Sequence, residues 1–173
     1  MRTPNRTFLL AAALLAAPLT LSAQAVTDPN IVAIFDLANT ADIETGSLVT
    51  AQAQNPDVKE LGEMFVMAHT SVRQQGRDLA RKLGVTPVMP AGNTMAADHA
   101  RAMASLRGKH GAEFDKAWLD HEIAFHQAVI DAVTKTLLPA TQNAELKAFE
   151  EKVAPAFVGH LEQAKALRAK LGK

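Results

Sequence analysis

After residue 28 the chain carries apolar residues at helical spacing almost to its end. From Asp28-Pro29 to about Gln54, Leu37, Ala41, Leu48 and Ala51 form one stripe, with Ile31, Ile34 and Phe35 ahead of them. Asp28 reads as the N-cap and Pro29 as the first helical residue. Asn55-Pro56-Asp57 breaks the pattern, and Asn55 with Pro56 opens a second helix. Its buried face is Val58, Leu61, Phe65, Val72, Leu79 and Leu83, and Gly84 stops it in a C-cap position. Residues 84–110 carry loop chemistry, Gly84-Val85-Thr86-Pro87 and Pro90-Ala91-Gly92-Asn93, around a short helix predicted from Thr94 to Arg107. A third long helix starts near Gly111, carries Phe114, Trp118, Phe125, Val129 and Val133, and stops at Pro139. Thr141 or Asn143 caps the last helix, which runs to Leu171 and is predicted to kink or lose a hydrogen bond at Pro155.

Four long amphipathic segments joined by short, long and short connections predict an all-α fold. It is a ferritin-like four-helix bundle whose long crossover carries a short extra helix. An up-down bundle with the short helix as a fifth member is the alternative. The stretch before residue 26 is different. Arg2 and Arg6 precede an apolar run from Phe8 to Leu21, and Ala23-Gln24-Ala25 follows as a small-x-small site. These are the three parts of a cleavable signal peptide, with cleavage expected after Ala25. The apolar run is about 14 residues and contains Pro18, short of the roughly 20 needed to span a bilayer. The expected organisation is a leader at 1–25 and one helical domain at 26–173, periplasmic or secreted, with no membrane span in the mature form.

Composition narrows the chemistry. The chain has 18 basic and 18 acidic residues and no cysteine. Losing Arg2 and Arg6 leaves 16 basic against 18 acidic, a net charge of −2. Without a Lys/Arg stripe nucleic acid is not an expected partner. Without cysteine there is neither a disulfide nor a thiolate metal site, although export would permit disulfides.

Polar residues at apolar phases of the helices are the candidates for function. Glu44 falls on the Leu37–Ala41–Leu48–Ala51 stripe. His69 follows Phe65 by four, His160 lies between Phe157 and Ala164, and His126 shares a seam with Leu119, Glu122 and, eleven residues earlier, Asp115. Bundles build metal sites from inward ligands on facing helices, and imidazole with carboxylate suits iron, zinc, copper or manganese. The bland reading of each histidine is a hydrogen-bonded core residue. The di-iron Glu-x-x-His signature is absent, since Glu63 and Glu150 are followed at that spacing by Val66 and Val153. Met95, His99 and Met103 share one face of the short helix, and Met64, Met67 and His69 form a similar group. Thioether with imidazole points toward copper, although methionine at helical spacing also fills cores. His110 reads as a loop residue and His121 as packing or solvent-facing. No Gly-x-Ser-x-Gly, phosphate-binding glycine loop or His-Glu-x-x-His is present.

Several spaced motifs resemble the bacterial family DUF4142, exported proteins of unknown function grouped with the ferritin-like superfamily. They are Glu44-x-Gly46 with Leu48, Asn55-x-x-Val58-Lys59, Met67-x-His69, Phe114-Asp115-x-x-Trp118 with His126 eight residues on, and Ala154-Pro155 with His160-Leu161. The resemblance covers about residues 30–170. It implies a ferritin-like bundle in the envelope, supplies no activity, and puts Glu44, His69, Asp115, His126 and His160 on recurring positions. Ala68 stands where the family usually has an acidic residue, and Trp118 where it usually has Tyr. The reading for function is a transition metal, iron, zinc or copper, bound through Glu44, His69, His126 and His160. Asp115 is a further ligand or a helix-start cap, and the task is metal handling or protection under envelope stress, without implied turnover. The rival is a helical interaction module whose buried His and Glu are structural, with an unknown protein partner.

Overall fold

The computed structural model describes residues 25–172. The predicted leader lies outside the described residues except for Ala25. The elements are α1 (Asp28–Gln52), α2 (Pro56–Leu83), α3 (Met95–Arg107), α4 (Gly111–Ala132), a π-helical stretch (Val133–Leu137), a single turn α5 (Leu138–Ala140) and α6 (Ala144–Lys170). Among the described residues there is no strand. No described helix is long and apolar enough to cross a membrane. The chain is a ferritin-like helical bundle: α1 pairs with α2 and α4 with α6, and the hairpins meet through α2–α6 and α1–α4. The crossover helix α3 lies against α1 and α4.

The helix ends follow the expected chemistry with small shifts. Thr27, one residue earlier than expected, caps α1 in a reciprocal box with Asn30. Asn55 and Asn143 cap α2 and α6 by accepting two backbone N–H bonds each. Gly84 ends α2 at φ 65°, a left-handed conformation that a side chain would strain. Pro139 does not stop the third helix. The chain stays helical to Ala140 through the π-helical stretch. A proline ring collides with the carbonyl four residues back in an α-helix, here Lys135, which lies inside the widened stretch. α6 runs through Pro155 as one element.

The two hairpin turns are fastened in the same way. Asp115, near the start of α4, accepts from Gln54 N at 3.2 Å and Asn55 N at 2.9 Å. Asp28, at the start of α1, accepts from Gln142 N at 2.9 Å and Asn143 N at 3.0 Å. Each hairpin thus receives a carboxylate from the other at its turn. Gly46 and Gly62 let α1 and α2 approach closely, because a Cβ on Gly62 would stand 2.0 Å from Val49 Cγ1.

The inward seam of α1 is Ile31, Phe35, Ala38, Asp42, Thr45 and Val49, alternating steps of four and three. It divides the core by composition. One apolar cluster gathers around Phe65, Phe114, Trp118 and Leu167, and another around Ile31, Phe35, Leu146 and Phe157. Between them lies a polar layer.

Candidate metal centre

The polar layer takes nearly two helical turns from α1 and about one turn or less from each of the other long helices. α1 contributes Asn39, Asp42 and Thr45, α2 His69, α4 Glu122 and His126, and α6 His160. All are buried. The side chains converge because each falls where its helix's inward seam crosses mid-bundle: His69 four after Phe65, His160 three after Phe157, and Glu122 and His126 one turn apart.

Three imidazoles form a triangle. The ring centroids of His69 and His160 are 5.0 Å apart, and His126 stands 5.5 Å from each. His69, His126 and His160 each offer a ligand atom within 4.8 Å of the others. His160 Nδ1 and His69 Nε2 are 3.2 Å apart. Two nitrogens sharing one tetrahedral ion at about 2.0–2.1 Å stand roughly 3.3 Å apart. Phe65 packs against all three rings, with centroids 4.7 Å from His160, 5.1 Å from His126 and 5.9 Å from His69.

The bonds around the rings fix two tautomers. The Asn39 amide N–H donates to the Phe35 carbonyl at 2.7 Å, so its oxygen faces His69 Nδ1 at 3.0 Å. An amide oxygen only accepts, so His69 Nδ1 carries the proton and Nε2 carries a lone pair. His126 Nδ1 lies 3.0 Å from the Glu122 backbone carbonyl and must donate to it, so that in the neutral ring Nε2 holds the lone pair. That Nε2 is buried and has no hydrogen-bond partner. Imidazoles that ligate metals are held in this way, by an acceptor on the second ring nitrogen.

Behind these nitrogens stands a second group. Asp42 Oδ2 is 3.4 Å from His69 Nδ1, and Glu122 Oε2 is 3.4 Å from His126 Nδ1. Thr45 Oγ1 donates to Glu122 Oε1 at 2.7 Å. Asp42 Oδ1 and Glu122 Oε2 are buried without a hydrogen-bond partner. Burial, then the nearby charge of Glu122, push the Asp42 carboxyl well above its usual value. Burial also opposes ionisation of Glu122, but the bond and charge of His126, with His121 and Thr45, outweigh it and hold Glu122 below its usual value. Of the two carboxyls, Asp42 is therefore the one that holds a proton more tightly. Burial and the charges of His126 and His160 lower His69 to about 2. Burial and His126 lower His160 to about 4, against a weaker pull from Glu122. Both rings are neutral at neutral pH, the form that binds metal.

Two of the five expected ligands stand elsewhere. Glu44 is exposed on α1 and accepts from His99 Nε2 at 2.7 Å. The stripe through Leu37, Leu48 and Ala51 is the helix flank, where Leu37 and Leu48 are half-buried and Ala51 is exposed. The true seam hides polar residues among small ones. Asp115 is buried, yet both its oxygens serve the α1–α2 turn, so it is a cap for that turn. Asp42 carries no local signal in the sequence, because a stretch of Ala, Asp and Thr interrupts the apolar period of the seam. The step-four, step-three series from Ile31 to Val49 was the trace it left.

A model of the family described as DUF4142, a domain of unknown function, matches residues 13–167. The chain belongs to the DUF4142 family. No curated protein matches it. Among solved structures this DUF4142 chain is similar to a DUF305 fragment from Deinococcus radiodurans, with a TM-score of 0.70 at 14% identity. The match covers 85% of this chain and 99% of that one. At that identity the likeness shows the helical fold alone. Of the five positions marked by the DUF4142 resemblance, three meet at the centre, while Glu44 and Asp115 do not.

Proposed function

We propose that this protein is a metal-binding helical bundle of the cell envelope, holding one transition-metal ion between His69, His126 and His160. The observation that carries the reading is the unpartnered Nε2 of His126, buried beside two further imidazoles from two other helices. Leaving such an atom unbonded in a core costs about 1–3 kcal/mol, and a metal removes that cost. Three imidazoles favour zinc or copper over iron, which prefers more carboxylate oxygen. Glu122, held toward its ionised form behind His126, supplies negative charge against a divalent ion. Burial of all three rings suits retention of the ion and leaves no evident path for a larger substrate, so the reading is handling or sequestration without turnover. The exported address expected from the leader places that task in the periplasm.

The test is titration of metal-stripped protein with Zn(II), and separately with Cu(II), whose paramagnetism would quench the buried Trp118. Saturable binding near one ion per chain is expected, with Co(II) giving the visible bands of a four-coordinate nitrogen-rich site. His126→Gln, checked for native helicity by circular dichroism, should lose it. A folded wild-type protein that takes up no ion, or a variant that binds as well as wild type, would leave the cluster as a hydrogen-bonded core network and end the metal reading.

A further inference from the structure

A cleft of about 200 Å³ lies between α1, α2 and the start of α6, and reaches the edge of the metal centre at Asn39, the partner of His69. Val32, Phe35, Val72, Leu146 and Phe149 form its apolar lining, and Val85 and Pro87 of the crossover close one side. The crossover is tied down there, since Val88 N donates to the Pro29 carbonyl at 3.1 Å and Asn30 Nδ2 to the Val88 carbonyl at 2.8 Å. Next to Pro87, Val88 and Met89 are exposed apolar residues at 55% and 37%.

Arg73, Arg77 and Arg81 rise along one face of α2 at steps of four and line the same cleft. Two have carboxylate partners. Arg77 is bidentate to Asp36, at 2.5 and 2.9 Å, and Arg81 pairs with Asp78 one turn back. Arg73 is half-buried and donates only to the hydroxyl of Thr40, at 3.2 Å. A guanidinium presents a fork of donors suited to a carboxylate; Asp36, the carboxylate that also lines the cleft, is taken up by Arg77, and among the described residues Arg73 has no carboxylate partner. Gly76 adds an independent sign. It sits inside α2, where glycine costs about 1 kcal/mol relative to alanine. A Cβ there would meet only the Phe149 ring, at an ordinary 3.6 Å, so helix packing does not require glycine as it does at Gly62. What Gly76 preserves is the width of the cleft.

We propose that this cleft is a binding site for a small amphipathic carboxylate, a free medium-chain fatty acid, with its head on Arg73 and its tail on the apolar lining toward Val88 and Met89. The cleft shares Asn39 with the metal centre, but the proposal does not rest on the metal reading, since Arg73 and Gly76 touch no metal ligand. Isothermal titration of the full protein with decanoate should give saturable binding near 1:1. Arg73→Gln should weaken it about tenfold or more, the worth of a charge-assisted hydrogen bond. Neutral decan-1-ol should bind the wild type at least tenfold more weakly than decanoate. Gly76→Leu should abolish binding by filling the cleft, and Gly76→Ala, which improves helix propensity, should weaken it without lowering the unfolding temperature. No saturable decanoate binding by the wild type overturns the proposal. So does wild-type affinity in both Arg73→Gln and Gly76→Leu, or equal affinity for decanol. If Gly76→Leu does not fold, Arg73→Gln and the decanol comparison decide the matter alone.

Discussion

Asp42 and Glu44 stand two residues apart on α1 and meet the same chemical partner, a histidine, in opposite surroundings. Asp42 is buried in the polar layer, 3.4 Å from His69 Nδ1, and shares the layer with side chains from α2, α4 and α6. Glu44 is exposed and bonds to His99 of the crossover helix at 2.7 Å. The second contact is shorter and, as a pair, better formed. It is nevertheless the weaker candidate for function, because water satisfies whatever the pair leaves unbonded and screens its charge. In the polar layer nothing replaces a missing partner, so unbonded atoms there carry meaning. Convergence from several helices, more than the closeness of any single pair, separates the two regions.

The largest expected contrast is in metal affinity. His126→Gln should weaken Zn(II) binding by more than about 100-fold, exceeding the roughly 10–100-fold cost of losing an outer partner of a ligating histidine. His99→Gln, on the surface pair, should bind as wild type. Competition with a chromophoric chelator measures both. An equal loss in the two variants would move the centre to the flank of α3 and erase the distinction drawn between the regions. Asn39→Ala comes next, with an expected loss of about 10–100-fold, because it removes the acceptor that sets the His69 tautomer while leaving every ligand in place. An unchanged affinity would mean that Asp42, also near His69 Nδ1, suffices to hold that ring.

The same contrast explains what the sequence discloses. The fold is legible almost throughout, because caps such as Asn55 and Asn143 and the apolar faces of α2 and α4 are local signals that packing reinforces. The histidines are legible too, since an imidazole interrupting a run such as Phe157–Ala164 stands out against leucine and alanine. Asp42 is hidden by its neighbours. Ala38, Thr45 and Gly46 are small residues that let α1 approach α2 and α4, and small residues blur the apolar period that marks a seam. Glu44 is misplaced by the same cause, since Leu37 and Leu48 mark the flank more strongly than Ala38 marks the interior. Asp115, expected as a ligand or a cap at its own helix start, instead caps a turn about sixty residues away, which no local pattern reveals.

Acid should separate the regions by stability. His69 and His160 ionise far more readily in the unfolded chain, near 6.5, than in the fold, where burial lowers them to about 2 and about 4. Their contribution is complete above pH 6.5 and is lost as pH falls toward the folded values. Between pH 6.5 and 5 the metal-free protein should lose about 2 kcal/mol for each of the two. Asp42 acts oppositely. Its raised folded value means that the native state holds a proton the unfolded state has released, so falling pH favours the fold through that group. Urea unfolding at the two pH values should therefore show a net loss for wild type and a steeper one for Asp42→Asn. Saturating Zn(II) should restore stability at pH 6.5 more than at pH 5, where protons compete for the rings. A flat profile in both wild type and Asp42→Asn would mean that the histidines are accessible to water.

The smallest expected effect belongs to the surface pair, and its smallness is informative. Glu44→Gln removes the charge and keeps a hydrogen-bond acceptor 2.7 Å from His99, so stability should move by no more than about 0.5 kcal/mol. Metal affinity and the acid profile should match wild type, because Glu44 is exposed and water screens its charge from the seam that carries Asp42. Thermal unfolding with and without Zn(II) checks both at once. A Zn(II)-induced rise in unfolding temperature that shrinks in Glu44→Gln would show that the α3 flank feels the ion. The line between the two carboxylates would then lie further out than burial alone places it, with α3 acting as part of the centre's wall and no longer a passive crossover.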